Sequence, residues 1–257
     1  MLYQIQSYIK FLLRSTNHHG VHSPFVFALL TKCFYDKSAY PEYEALRAHR
    51  NTFLSSTEKL EVTDLGSGSR VFSSNTRNVS GIAKNAGISR KRQRLLFRLT
   101  RYLKPELMLE LGTSLGLATA AMSLGHPAGQ LITIEGCPNT ANKAKEGFRA
   151  FQLKNIRVRN ESFNDFFTSL DLATFTVIYV DGNHDKDNTL AYFDALLKYV
   201  DNESVIIFDD IYWSQGMTEA WQEIAEHPKV TVSIDTFFWG LVFFRKEQQK
   251  EHFTIRL

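Results

Sequence analysis

Apolar residues recur along this chain in two rhythms. Over about the first 56 residues the spacing is helical: Leu2, Ile5, Ile9, Leu12 and Leu13 fall on one stripe, and Phe25, Leu29, Leu30 and Cys33 on another. These stripes predict short helices joined through the histidine- and glycine-bearing stretch at 17–23. A further helix opens at Ser89, a suitable N-cap, and carries Leu95, Leu96, Leu99 and Leu103 on one face. From there short apolar runs alternate with helical patterns. Strands are predicted at 107–112, 131–135, 156–160, 175–181 and 204–209, and helices at 115–124, 138–152, 187–200 and 216–226. Such alternation predicts a doubly wound, parallel sheet. The tail departs from it, because Val230–Thr236 and Leu241–Arg245 face each other across Phe237-Phe238-Trp239-Gly240, a hairpin signal. The expected fold is therefore α/β: a mostly parallel seven-stranded sheet with a C-terminal antiparallel hairpin. An N-terminal helical cap or lid is expected over 1–88, ahead of the main domain at 89–257.

The most informative stretch is Met108-Leu109-Glu110-Leu111-Gly112-Thr113-Ser114-Leu115-Gly116, which reads as a buried strand ending in a carboxylate and entering a glycine turn. The two glycines let backbone approach a ligand closely, and the following helix offers its first N–H groups to it. The apolar strand at 131–134 ends in Glu135, 23 residues after Gly112 and placed to bind both hydroxyls of a ribose. A dinucleotide site shares that second acid. Glu110 discriminates, since a carboxylate beside a pyrophosphate meets like charge, whereas beside an ammonium it finds a partner. The G-x-G-x-x-G pattern is also missing from this turn.

Glu110-Leu111-Gly112-Thr113-Ser114-Leu115-Gly116 with Glu135 resembles motif I and the following acid of the class I S-adenosylmethionine-dependent methyltransferases, a resemblance covering roughly Leu95 to Leu257. The terminal antiparallel pair fits that family too. The resemblance implies that Glu110, Gly112, Thr113, Ser114 and Gly116 hold the methionine part of S-adenosylmethionine and Glu135 its ribose. Glu161 and Ser162 fall where that family contacts adenine. Asp181, Asp209 and Asp210 resemble the oxygen triad of the catechol-type O-methyltransferases that use a divalent metal, and Mg²⁺ or Ca²⁺ suits such ligands. Two departures stand out: Asp210 replaces an Asn, and His184 stands where that family has Lys. A neutral imidazole can still take a hydroxyl proton, so Asp181 and His184 are the expected catalytic pair. The plain alternative is that Asp209 and Asp210 cap the next helix while Asp181 contacts the donor amine or an acceptor hydroxyl, which places Asp181 among the cofactor-binding residues.

Composition narrows the rest. At 257 residues and 44% hydrophobic the chain can bury one substantial core and carry a smaller subdomain. Cys33 and Cys137 are its two cysteines, which excludes a disulfide framework and suits a reducing compartment. No apolar run reaches about 18 residues, so a cytoplasmic location with no membrane partner is expected. A net charge of +3 implies no nucleic acid by itself, but Arg90, Lys91, Arg92, Arg94, Arg98 and Arg101 crowd one helix. Two further features are ambiguous. His18, His19 and His22 read as a loop or lid rather than a metal site. Asp64-Leu65-Gly66-Ser67-Gly68-Ser69 looks like a second motif I, yet no convincing buried strand precedes it and no acid-ended strand follows, so it reads as a turn near the site. The expected function is methyl transfer from S-adenosylmethionine to an oxygen of a small molecule, with the assembly, a homodimer among the options, left open. An RNA methyltransferase using the basic helix and a non-catalytic binding protein are the rivals.

Overall fold

The computed structural model describes residues 2–63, 74–171 and 173–257. The second glycine turn at 64–69 lies outside them. In chain order the elements are α1 (Leu2–Arg14), α2 (Pro24–Leu29, continued by a π-turn over Leu30–Phe34), α3 (Glu42–Leu54), β1 (Lys59–Glu61), β2 (Thr76–Asn78), α4 (Val79–Asn85) and α5 (Arg90–Leu103). Then come β3 (Leu107–Leu111), α6 (Leu117–Gly125), β4 (Gln130–Ile134), α7 (Pro138–Ala150), β5 (Ile156–Arg159) and α8 (Phe163–Ser169). The chain closes with β6 (Val177–Val180), α9 (Lys186–Leu196), β7 (Val205–Asp209), α10 (Gln215–Glu226), β8 (Val232–Asp235), β9 (Trp239–Phe243) and β10 (Glu251–Thr254). The fold is α/β, with a mostly parallel sheet of eight strands.

Two units divide the chain: Asp36–Leu170, and Met1–Tyr35 with Asp171–Leu257. In the first, β3, β4 and β5 run parallel in that order, and Glu110 is paired in register with Thr133. Ser89 caps α5 as expected, accepting the Arg92 N–H at 3.3 Å, and Lys104 ends that helix in a left-handed conformation at φ 49°. Phe53, Leu96, Phe97 and Leu99 fill the core on the helical side. Glu58–Thr63 is indeed no buried strand: its centre, β1, pairs antiparallel with β2 in a separate two-stranded ribbon.

In the second unit the strand order is β10, β8, β9, β7, β6. β6 and β7 are buried throughout, which is why they read as unbroken apolar runs. β8 and β9 form the expected hairpin, with Val232 opposite Phe243. The eighth strand, β10, lies parallel to β8 at the sheet edge, and its Glu-His-Phe-Thr sequence gives no strand pattern. Residues 1–35 join this unit through backbone: the Thr16 N–H donates to Thr254 O at 2.9 Å, and the Arg256 N–H to Thr16 O at 2.9 Å. His18 packs its ring against Tyr35 and Phe27, with centroids 5.4 and 6.1 Å apart. No helix among the described residues is long and apolar enough to cross a membrane.

Candidate active site

The turn after β3 is built from positions that few residues tolerate. Gly112, Ser114 and Gly116 all have positive φ, at 104°, 49° and 75°. A Cβ at Gly116 would lie 2.3 Å from the Phe148 ring, so glycine is required there twice over. The Gly112 and Thr113 N–H groups both donate to Ile134 O, at 3.0 and 3.2 Å, which ties the turn to the end of β4. Gly116 caps α6, whose first N–H groups therefore open at the turn.

Glu110 is fully buried inside this frame. Its Oε2 accepts the hydroxyls of Thr119 and Thr133, each at 2.5 Å, and Thr133 also meets the Thr113 hydroxyl at 2.5 Å. Its Oε1 is buried with no hydrogen-bond partner. Desolvation by burial pushes the carboxyl up to about 8 against the pull of the two threonines, and the nearby Glu135 charge adds to the rise. A buried, unpartnered carboxylate oxygen at the base of a glycine turn fits an ammonium group. Thr119 and Thr133 escaped the sequence reading. The signal was there: Thr133 is a polar residue in the apolar run Leu131–Ile134, directly across the ladder from the acid.

Glu135 stands at the end of β4 with its Oε2 accepting the Ser114 N–H at 2.8 Å and its Oε1 the Cys137 N–H at 2.9 Å. Each oxygen can accept a second bond, which suits two vicinal hydroxyls. The Asn160 amide donates to the Glu135 and Gly136 carbonyls at 2.6 and 3.1 Å and fixes the backbone there. Glu161 is ion-paired to Arg159. Ser162 caps α8, accepting the Asp165 N–H at 3.1 Å and donating to Asp165 at 2.7 Å.

In the other unit, Asp181 follows β6 and Asp209 ends β7. The buried Tyr179, which the sequence reading missed, donates its hydroxyl to Asp209 Oδ2 at 2.7 Å and lies 3.4 Å from Asp181 Oδ2. Asp209 Oδ1 accepts the Asp210 N–H at 2.8 Å, and Asp210 itself is left-handed at φ 53°. His184, also left-handed at φ 39°, sets Nε2 at 3.5 Å from Asp181 Oδ1 and its ring 5.8 Å from that of Trp213. Tyr212 points elsewhere: it donates to the buried Asp235 at 2.6 Å and stacks on Phe237.

The expected metal triad gains no support from the arrangement of these side chains. Among the described residues no three His, Cys, Asp or Glu side chains group so as to hold a metal ion, and Asp181, Asp209 and Asp210 form no such set. Asp209 accepts a phenol O–H on one oxygen and a backbone N–H on the other.

The family profile described as a methyltransferase domain matches residues 109–211, a span that starts in β3 and ends just beyond β7. Over those residues the chain is similar to that methyltransferase family. Solved methyltransferases share its fold. An O-methyltransferase of Bacillus cereus in complex with S-adenosylhomocysteine is 19% identical, with a TM-score of 0.56 over 81% of this chain and 93% of that one. A methyltransferase of Podospora anserina bound to S-adenosylhomocysteine is 15% identical, with a TM-score of 0.63 over 88% of this chain and 97% of that one. The O-methyltransferase TomG of Streptomyces achromogenes, involved in tomaymycin synthesis and bound to S-adenosylmethionine, is 17% identical, with a TM-score of 0.57 over 86% and 95%. No curated protein matches by sequence. At these identities the likeness of the methyltransferase structures concerns the fold, so the assignment of donor contacts rests on this chain's own residues.

Proposed function

We propose that this methyltransferase moves a methyl group from S-adenosylmethionine to an oxygen of a small molecule, and that it does so without a metal ion. The carrying observation is the Glu110 Oε1 atom, buried and unpartnered beneath the Gly112–Gly116 turn. An ammonium there supplies what the carboxylate lacks, while Glu135 takes the ribose hydroxyls beside it. Gly112, Thr113, Ser114 and Gly116 shape the turn around the methionine part, and the 160–162 segment, with Glu161 and Ser162, borders the adenine.

The sulfonium, when bound, supplies an activated methyl group for in-line displacement. What this chain's residues do is receive a proton and hold the acceptor. We assign the proton to His184 Nδ1. Its Nε2 faces Asp181, so an Nε2–H directed there leaves Nδ1 as the acceptor, and the Asp181 charge favours the imidazolium that forms. As the new C–O bond forms and the C–S bond breaks, the acceptor's hydroxyl proton passes to that nitrogen. Tyr179 holds Asp209, and through it the end of β7, in place. Trp213 gives an aromatic wall beside His184.

The RNA reading is weaker because part of the basic helix is spent on packing. Arg94 and Arg101 lie over the rings of Tyr43 and Tyr40 at 4.7 and 4.8 Å, and Arg98 donates to the Tyr43 hydroxyl at 3.2 Å. The test is transfer of a labelled methyl group to a panel of phenols, catechols and other small hydroxylated acceptors, with and without chelator. Label on oxygen, unchanged by chelator and lost in His184→Ala, is the expected result. Label on RNA alone, or turnover abolished by chelator and restored by Mg²⁺, overturns it.

A further inference from the structure

Helix α1 is turned inside out. Its four most exposed apolar residues, Leu2, Ile5, Ile9 and Leu13, are 70%, 53%, 54% and 82% exposed. Its buried residues are Ser7 and Phe11. An amphipathic helix whose aliphatic stripe faces its own core needs no further partner, whereas this one presents that stripe to solvent. Phe11 and Tyr8 pack on Phe237, with centroids 5.5 and 4.8 Å apart, which anchors the helix while leaving the stripe uncovered. Phe238, 48% exposed, adds an outward aromatic ring beside Phe237.

From this geometry we infer that α1 docks the protein on an anionic lipid surface, lying in the plane of the interface with Leu2, Ile5, Ile9 and Leu13 in the acyl boundary. Charge selects that occupant. Residues 1–35 contain Lys10, Arg14 and Lys32 and not one Asp or Glu. Lys10 and Arg14 follow each other by one turn on α1, with no carboxylate from α1 to offset them. Anionic headgroups complement both, and long cationic side chains can reach them from the edge of a buried stripe. With 13 residues, α1 is too short to span a bilayer, so the contact is peripheral. This departs from the expectation of no membrane partner.

Flotation of the full-length protein with phosphatidylcholine vesicles, with and without phosphatidylglycerol, tests the inference. The protein should float with the anionic vesicles, less so as salt is raised. Ile5→Glu/Ile9→Glu should lower partition by at least about tenfold, since each substitution withdraws an aliphatic side chain from the lipid. Lys10→Gln should weaken it without touching the stripe. The altered positions are exposed, and an unchanged thermal melt verifies folding. Absence of flotation, or a solution dimer that Ile9→Glu dissociates while neither protein binds vesicles, overturns the proposal.

Discussion

Burial pushes the Glu110 carboxyl up to about 8, so near neutral pH most of it carries a proton in the ligand-free protein. Because its folded pKa is raised, its contribution to stability is full below the ordinary carboxylate pKa of about 4.5 and is lost as pH rises through 8. A bound ammonium favours the ionised form and reverses that penalty. Calorimetry of S-adenosylhomocysteine binding near about pH 6.5, in buffers of different ionisation heat, should therefore show release of close to one proton. Glu110→Gln should abolish the release and weaken binding. His49 has the opposite sign. It is buried among Phe53, Phe148 and Phe151 with neither ring nitrogen partnered, and desolvation lowers its pKa to about 4. The stability tied to its neutral form is present above about 6.5 and is lost as pH falls through 4, so His49→Phe should raise the melting temperature more at about pH 5 than at about pH 8. Equal shifts at both values would remove this account. Glu135→Ala should weaken donor binding by about 1–3 kcal/mol while leaving the melt near wild type.

Helix α6 starts at the Gly112–Gly116 turn proposed to hold the donor, and a buried polar link holds that start. The Gln93 amide of α5 donates to Leu117 O at 2.7 Å, and its carbonyl accepts Arg50 Nε and Nη2 of α3 at 3.3 and 3.2 Å. Gln93→Leu leaves Leu117 O without that donor and takes an acceptor from a buried guanidinium. It should cost about 1–3 kcal/mol by denaturant titration and lower donor affinity, whereas a silent substitution would free α6 from this link. Neither Arg50 nor Gln93 could be singled out from sequence, where one reads as a surface charge on an N-terminal helix and the other as one polar residue in a basic run. The elements with strong periodicity were legible: β3, β4, β6, β7 and the β8–β9 hairpin lie where the apolar runs put them. β10, exposed at two of four positions, gave no alternation to read, and the short α8 was hidden between β5 and β6.

For the whole chain, sequence pattern yielded the class of fold and the Gly112–Gly116 turn after β3, because glycines at positive φ and a strand-end acid leave local signatures. It says less about the acidic strand ends, since whether carboxylates converge depends on which side chains claim them, and Tyr179 is a partner of Asp209 that periodicity does not mark. It also found the α1 stripe without revealing its direction, as periodicity marks a face but not what the face meets. The central claim is that the Glu110–Gly116 turn binds the methyl donor through an ammonium–carboxylate contact. Titration calorimetry of the wild-type protein and Glu110→Ala with S-adenosylhomocysteine and with NAD tests it most directly. The account predicts one-to-one heat from S-adenosylhomocysteine with wild type, none from NAD, and a loss of at least about tenfold in affinity in a variant that still melts cooperatively. Equal affinity of both proteins for S-adenosylhomocysteine, or heat from NAD alone, would contradict it.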